Sequence, residues 1–495
     1  MKRYTFPLLL TALLAVTSCK DFEDLQVNPN NPTQAPPSQI FTGVLYDWYN
    51  ADYEPWSETQ RLNQFYAITF DYYGNQDYNW SSTGLNYGTL RNVLQMEKEA
   101  ERLGDNSYAG LASLMKAYFF IRMTERVGDI PMRQALQGLD ENYTPQYDTQ
   151  KEVYLQCLDL LEQANTQLAA VADQMVAGDI FMGGSLRKWQ QVSNALYLRT
   201  LISLSHQADD ADLRVKERFA AIINNPSTYP LMQSLDDNAT MKFFNVPNNQ
   251  YPINPSNRGF TIGRYVMGAT YLDFLKMYND PRLFVVAEPT DSAKASGDPD
   301  YATKLTSYVG APSGATLGDL YTNSDAGKYS LPKDDRYYTY TGEPTIIVGY
   351  AEQEFTLAEG IARGWASGDA AQHYTNGITA SMNFYGITDP VVLDAYLSQD
   401  GVAYAGNGDA GLIQILTQKY LAFFQNSGWE AFYNQRRTGV PTFDIGPGNQ
   451  NGGRIPERWQ YPQSEYRNNE ANLRDALQRQ FGGADDINRP LWILE

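Results

Sequence analysis

The chain has 495 residues, and its 38 Lys and Arg against 57 Asp and Glu give a formal net charge of -19. This length is enough for a large core or for several ordinary domains. No cluster of basic residues stands out, and nucleic-acid binding needs a basic surface that neutralises phosphates, so the charge argues against a nucleic-acid partner.

The N-terminus has the pattern of a lipoprotein signal peptide. A positively charged start is followed by a short apolar run over 6–16 and then by small residues directly before Cys19. The run is too short to span a bilayer core, which takes roughly 20 residues. We therefore predict a signal peptide over 1–18, with Cys19 acylated (palmitate) and anchored in a membrane. The alternative is an ordinary signal peptide with an incidental cysteine.

The next segment, 19–38, is polar and rich in Asn and Pro, and it is predicted to be a lipidated tether. Apolar residues then recur at helical spacing along much of the chain. The predicted helices are two within 39–70, followed by 89–103, 108–127, 150–175, 186–206, 213–223, 270–278, 349–366, 370–385, 390–397, 410–426 and 469–480. We predict a mainly α fold of tetratricopeptide-like helix pairs, although no clean 34-residue repeat is visible.

A loop-rich segment interrupts the helices at about 224–349, where Pro, Asn, Gly and Tyr become frequent. Structureless connections of this length are uncommon in compact domains. We predict one domain over 39–495, with this insertion packed on the helical scaffold as a subdomain that contributes binding surface.

Motifs of catalysis and of metal or cofactor binding are missing from the sequence. The two histidines, His206 and His373, form no metal-binding pair, and no dinucleotide-binding or P-loop pattern occurs. Cys157 lies in an apolar helical pattern and is expected to be buried. No catalytic pair can be chosen among so many acids, and the acidic turns lack the order of a calcium loop. We predict no enzyme, no cofactor and no metal.

Several short phrases occur in a characteristic order along the chain. They include Gly128-Asp129-Ile130-Pro131, Asn194-Ala195-Leu196-Tyr197-Leu198-Arg199, Asn279-Asp280-Pro281-Arg282, Gly428-Trp429-Glu430-Ala431 and Arg436-Arg437-Thr438-Gly439-Val440-Pro441. Together they resemble the SusD/RagB family of nutrient-binding outer-membrane lipoproteins. The charges after the cysteine, Lys20-Asp21 and Glu23-Asp24, also resemble the signal that sends Bacteroidetes lipoproteins to the outer face of the outer membrane.

The resemblance implies a SusD-like fold that sits as a lid on a SusC-like TonB-dependent transporter. Such proteins bind oligosaccharides, or oligopeptides in some members, and deliver them to the transporter without catalysis. Glycan capture at the cell exterior is our prediction, with oligopeptide capture as the alternative from the same family. An anchored hydrolase is the alternative from another class. Trp189, Trp365 and Trp429 lie on or beside apolar helical patterns and are expected in the core.

Candidate ligand residues are selected by the chemistry of their side chains. Sugars bind to flat aromatic faces beside amide, carboxylate and guanidinium groups, whereas peptides prefer apolar pockets and free backbone groups. The segment 71–82 mixes such residues without a helical period. Its candidate ligand residues are Tyr72, Tyr73, Asp77, Tyr78, Asn79 and Trp80. A loop tryptophan can instead plug onto the domain surface.

Two further candidate sites lie in the loop-rich insertion. The first consists of Tyr321 with the segment 336–340 around Tyr337, which can equally be a β-strand with one buried face. The second consists of Asn257, Arg258, Arg264 and Tyr265.

Overall fold

The computed structural model describes residues 34–495. The predicted signal peptide at 1–18, the lipid anchor at Cys19 and most of the predicted tether lie outside the described residues. Across the described range, no helix combines the length and the apolar character that crossing a membrane requires.

The first half of the described chain is built from helices. They are α1 (Pro37–Asp52), α2 (Glu58–Leu62), α3 (Tyr87–Leu103), α4 (Ala109–Val127), α5 (Gln150–Ala170), α6 (Leu186–Ser203) and α7 (Val215–Asn224). A capping box begins α5, because the side chain of Thr149 accepts a hydrogen bond from the Glu152 amide while the Glu152 carboxylate accepts one from the Thr149 amide. Helices α4 and α5 pack along each other, and Gly110 permits this approach, since a Cβ there would lie 2.6 Å from Leu168 Cγ.

The insertion is made of short elements. Its helices are α8 (Arg258–Thr261), α9 (Ala269–Met277), α10 (Leu283–Val286), α11 (Asp291–Lys294), α12 (Leu317–Asp325) and α13 (Asp334–Tyr337). Strand β1 (Tyr66–Ile68) pairs antiparallel with β3 (Tyr265–Met267), and β2 (Ala239–Met241) pairs antiparallel with β4 (Thr345–Val348). The β1–β3 pair holds the insertion against the N-terminal part of the scaffold. The β2–β4 pair joins two segments near the opposite ends of the insertion.

Helices return after β4. They are α14 (Tyr350–Ala362), α15 (Ala370–Phe384), α16 (Pro390–Leu397), α17 (Asp409–Ala422), α18 (Glu430–Thr438), α19 (Gln463–Asn468) and α20 (Glu470–Phe481). The prediction of a mainly helical protein is confirmed. The main differences lie between 39 and 70, where the second predicted helix is a single short turn followed by β1.

The main core runs through both helical parts and into the insertion. Trp189, Trp365 and Trp429 are buried, as expected, and so is Cys157. Burial and the nearby carboxyl group of Glu125 raise the pKa of the Cys157 thiol, so Cys157 behaves as an apolar side chain.

Several of the short sequence phrases that resemble the SusD/RagB family contain residues of buried ion pairs. The side chains of Asp280 and Arg282 are fully buried and lie 2.6 Å apart. Arg282 also donates hydrogen bonds to Ser381 on α15, at 2.8 Å, and to Gln418 on α17, at 3.1 Å. In the same way, Arg437 on α18 pairs with buried Glu359 on α14. These phrases are structural: they join helices that are far apart in the chain.

Candidate functional site

Strand pairing brings two distant segments together at one surface. The register places Ile68 of β1 opposite Tyr265 of β3. Just beyond the pair, the Thr69 amide donates a hydrogen bond to the Arg264 carbonyl oxygen at 3.0 Å. The loop after β1 therefore runs beside the segment before β3, and their side chains share one surface.

The loop after β1 is held from below by Arg61 of α2. The buried guanidinium of Arg61 donates hydrogen bonds to the carbonyl oxygens of Tyr73, at 3.0 Å, and Asn75, at 2.8 Å. Between them Gly74 has φ +105°, and a Cβ there would lie 2.6 Å from Arg61 Nη2. Only glycine fits this position easily, so the loop that presents Tyr72 and Tyr73 has a defined shape.

These segments and the residues that follow α1, 54–57, form a cleft of about 850 Å³, which we call the first cleft. Its lining includes Glu54, Trp56, Phe70, Tyr72, Tyr73, Pro252, Asn257, Phe260, Arg264 and Tyr265. Tyr72 is 85% exposed and Phe260 is 65% exposed. Single exposed rings are common on protein surfaces, but several of them grouped in a cleft indicate a binding surface.

Tyr73 and Arg264 organise the middle of the first cleft. The Tyr73 hydroxyl donates to the Phe260 carbonyl oxygen at 2.6 Å and accepts from Arg264 Nη1 at 3.0 Å. The Arg264 guanidinium lies over the Phe70 ring, 4.8 Å from its centroid. The Tyr73 and Tyr265 rings meet edge to face with centroids 5.3 Å apart. These contacts fix the rings before any ligand arrives.

Burial shifts the pKa values of two ionisable side chains that line the first cleft. Burial raises the pKa of Glu54, and burial with the nearby Tyr66 and Tyr73 raises that of Tyr265. The Tyr265 hydroxyl therefore stays protonated and can donate and accept hydrogen bonds. Among the described residues, no group of three or more His, Cys, Asp or Glu is placed to hold a metal ion. The arrangement can stack a ligand on aromatic faces and hydrogen-bond its edges.

Three of the predicted ligand residues, Tyr72, Tyr73 and Tyr265, lie together in the first cleft. They come from two separate candidate groups that β1 and β3 bring together. Asn257 and Arg264 of the third candidate group also line the first cleft, while Arg258 lies beside it, paired with Asp334 at 2.7 Å.

The other residues of the 71–82 segment do not line the first cleft. Tyr78 is buried, and its hydroxyl accepts a hydrogen bond from the Gln64 side chain at 2.7 Å. Trp80 is half-buried and stacks on Trp459, with ring centroids 4.2 Å apart. Asp77 and Asn79 stay near the surface, where the Asp77 carboxylate accepts a hydrogen bond from the Asn79 amide at 3.0 Å. The segment therefore presents its first half outward and packs the aromatic rings of its second half inward.

Tyr337 and Tyr321 take supporting positions. Tyr337 ends the short helix α13 rather than lying in a strand, and it is fully buried with its ring 5.1 Å from that of Trp56, beneath the first cleft. Tyr321 on α12 is half-exposed and packs its ring 5.8 Å from that of Phe70. Tyr321 thus supports the rim from outside.

Phe70 and Phe260 of the first cleft were missed by reasoning from sequence. Phe70 ends an apolar run that reads as a buried element, and Phe260 follows Gly259 in a stretch with no period. The weak signal for Phe260 was its place within the insertion beside Asn257 and Arg258. Its exposure depends on β3, whose partner strand lies about 200 residues earlier.

A small enclosed cavity of about 30 Å³ lies away from the first cleft. It lies among α1, α4, α6 and α18 and is lined by charged groups that include Asp52, Arg122, Glu125, Arg199 and Glu430. Burial raises the pKa of Asp52, but the adjacent Arg122 and Arg126 outweigh it and lower that pKa to about 2. A space of this size holds about one water molecule, so the cavity belongs to a buried ion-pair network.

Comparison with known proteins places the chain among outer-membrane binding proteins. A protein-family model described as SusD-like, starch-binding and associating with the outer membrane matches residues 29–462. A SusD homologue from Bacteroides fragilis is 32% identical, with a TM-score of 0.84 over 93% of this chain and 100% of its own. An outer-membrane candidate for nutrient binding from Bacteroides vulgatus is 33% identical, with a TM-score of 0.82 over the same shares.

A protein named as chitin-binding is 25% identical, with a TM-score of 0.73 over 92% of this chain and 98% of its own. A comparison with curated proteins finds no match.

Proposed function

The chain belongs to the SusD-like family, and from this premise we propose that its first cleft captures glycan chains for delivery to a SusC-like TonB-dependent transporter. The family consists of outer-membrane nutrient-binding proteins without catalytic activity. We also propose that an acylated Cys19 anchors the protein in the membrane.

The observation that supports glycan binding is the open aromatic surface of the first cleft. Tyr72, Phe260 and Phe70 present rings that are largely exposed or partly exposed. Such faces cover the apolar C–H surface of a sugar ring, while Arg264 and Asn257 at the same surface supply donors for hydroxyl oxygens. The combination of flat rings with a few polar groups is the chemistry that a neutral sugar needs.

Oligopeptide capture is the alternative, because the apolar residues that line the first cleft also suit peptide side chains. Pro252, Ile253 and Phe260 give the first cleft an apolar wall that also suits peptide side chains. Since one relative is named as chitin-binding, chitin oligosaccharides enter the first panel together with starch, other polysaccharides and a peptide mixture.

The test is calorimetric binding of the lipid-free domain, beginning after Cys19, to this panel. We expect saturable binding of one glycan class and a weakening of about 1–3 kcal/mol in Tyr72→Ala, by analogy with other aromatic stacking platforms. The matched control is Tyr143→Ala, because Tyr143 is also largely exposed but lies outside the first cleft. Its affinity should equal that of the unaltered protein.

Each other outcome of this experiment contradicts a part of the proposal. Binding of peptides alone would replace the glycan by an oligopeptide. Glycan binding that is unchanged in Tyr72→Ala would move the ligand away from the first cleft. Turnover of polysaccharide by the purified domain would contradict a purely binding function.

A further inference from the structure

We propose that a second cleft continues the first and holds the outer units of the same glycan chain, so that the protein reads a longer oligosaccharide than the first cleft can hold. This inference rests on the proposed glycan function. The second cleft has a volume of about 680 Å³. It shares Glu54 and Pro252 with the first cleft. Because these two residues belong to both walls, one extended molecule can pass from one cleft to the other.

One wall of the second cleft is a single face of α1. Gly43, Tyr46 and Asn50 recur at intervals of three and four residues, which places them on one side of the helix. Tyr46 is 49% exposed on this face. The wall is therefore rigid and carries an open aromatic ring beside a carboxamide.

The opposite wall is a tight turn that follows β2. The Phe244 amide donates a hydrogen bond to the Asn249 carbonyl oxygen at 2.8 Å and closes the turn. Phe243 is buried with its ring 5.1 Å from that of Tyr251, while the next residue, Phe244, is 52% exposed. Since successive side chains in extended backbone point to opposite sides, burying Phe243 directs Phe244 outward.

The lining of the second cleft suits a neutral, hydroxyl-rich chain. Carboxamides of Asn50, Asn248 and Asn249 lie beside the open rings of Tyr46 and Phe244. The charged residues of its lining are one cation, Lys242, and one anion, Glu54, so the two walls carry no net charge. A polyanionic glycan would find no basic surface there, whereas a neutral sugar finds rings and amides as in the first cleft.

Gly43 keeps this surface open. A Cβ at Gly43 would meet no other atom within 4 Å, although the residue lies inside a helix. Glycine in a helix interior costs about 1 kcal/mol relative to alanine. A larger side chain at this position would project into the second cleft without disturbing the packing of α1, which makes Gly43 the point at which the second cleft can be filled.

The experiment measures affinity against the length of the oligosaccharide, using the glycan class found for the unaltered domain. For the unaltered protein we expect affinity to rise with chain length beyond the length that fills the first cleft. Gly43→Leu and Phe244→Ala should bind the short oligosaccharides normally and lose the gain of the long ones, about 5-fold or more. The control is Gly88→Leu, because Gly88 is an exposed helical glycine that also has no neighbour within 4 Å but does not line either cleft.

The possible failures can be told apart. If affinity does not change with length, or if both variants bind long oligosaccharides as the unaltered protein does, the second cleft is not part of the site, while the first cleft and its function stand. If the unaltered domain binds no glycan, both proposals are overturned. A melting temperature of Gly43→Leu at or above that of the unaltered protein shows that any loss of affinity comes from filling the second cleft.

Discussion

Arg264 enters the first cleft with its guanidinium already oriented. The group lies over the Phe70 ring and donates one hydrogen bond to the Tyr73 hydroxyl at 3.0 Å. A guanidinium has five N–H donors in a fixed plane, so most of them stay available for the oxygens of a ligand. Because the side chain is already held, binding of the proposed ligand would lose less free energy in ordering it.

The packing of the Trp80 ring predicts a role in stability and not in ligand binding. Its ring stacks on Trp459 and contacts Phe432, with centroids 4.2 Å and 5.0 Å away. We expect Trp80→Ala to lower the free energy of unfolding by about 2–4 kcal/mol, somewhat less than for a fully buried tryptophan, and to leave glycan affinity unchanged. Chemical denaturation and calorimetry measure the two quantities.

The milder variant Trp80→Phe is the control for this prediction, since it keeps part of the ring stacking and should lose less stability than Trp80→Ala. A loss of affinity in Trp80→Ala without a loss of stability would show instead that the ring contacts the ligand.

The contrast between Tyr72 and Trp80 shows what sequence can say about single residues. Both lie in one polar, aromatic segment without a helical period, whose composition makes all of its aromatic residues candidate ligand residues, and of these Tyr72 and Tyr73 line the first cleft. The inward turn at Tyr78 and Trp80 is set by partners such as Trp459, almost 400 residues away in the chain. No local pattern contains that information.

At the scale of elements, two helix glycines lead to opposite predictions for the same substitution. A Cβ at Gly360 of α14 would lie 2.2 Å from the Phe219 ring of α7, whereas a Cβ at Gly43 of α1 meets nothing. Gly360→Ala should therefore destabilise the protein by about 1–3 kcal/mol, because the buried Phe219 ring has to move.

Gly43→Ala is the matched control and should stabilise the protein by up to about 1 kcal/mol through helix propensity alone. Urea denaturation of both variants gives the two values. Equal effects of the two substitutions would show that propensity, and not the packing of α7 on α14, decides the result.

The strand pairs explain why elements were easier to predict than the site. Long helices such as α4 and α6 carry many apolar repeats, so spacing alone locates them within a few residues. Strands β1 and β3 have three residues each, which is too few for a periodic signal. Yet the pairing of β1 with β3 joins the Tyr72–Tyr73 loop to Arg264 and Tyr265, so the first cleft depends on the elements that sequence reveals least.

At the scale of the whole molecule, the family resemblance and the packing describe the same set of residues. The phrase around Asp280 supplies a buried ion pair from which Arg282 links the insertion to α15 and α17, and the phrase around Arg437 supplies one that joins α18 to α14. Removing one partner of a buried pair typically costs about 3–5 kcal/mol, because the other charge stays buried alone. Such residues resist change while the rings of a binding surface can vary, so the phrases identify the fold more readily than the ligand.

The attachment of the whole molecule to the membrane gives the last prediction. The chain carries a net charge of -19, which offers no attraction to an anionic bilayer surface, and no described helix can cross the membrane. If the diacylated Cys19 is the anchor, Cys19→Ala should move the protein from the membrane fraction to the aqueous fraction. Stable anchoring takes about two acyl chains, which a diacylated Cys19 would provide.

Cys157→Ala is the control for this experiment, because Cys157 is buried in α5 and out of reach of lipidation, so this variant should stay in the membrane fraction. Binding to the proposed SusC-like TonB-dependent receptor would also retain the protein, so the fractionation is made in cells with and without this receptor. Retention of Cys19→Ala only when the receptor is present would show that the transporter holds the protein independently of its lipid. Retention without the receptor would contradict the anchor at Cys19, because attachment would then not depend on the acylated cysteine.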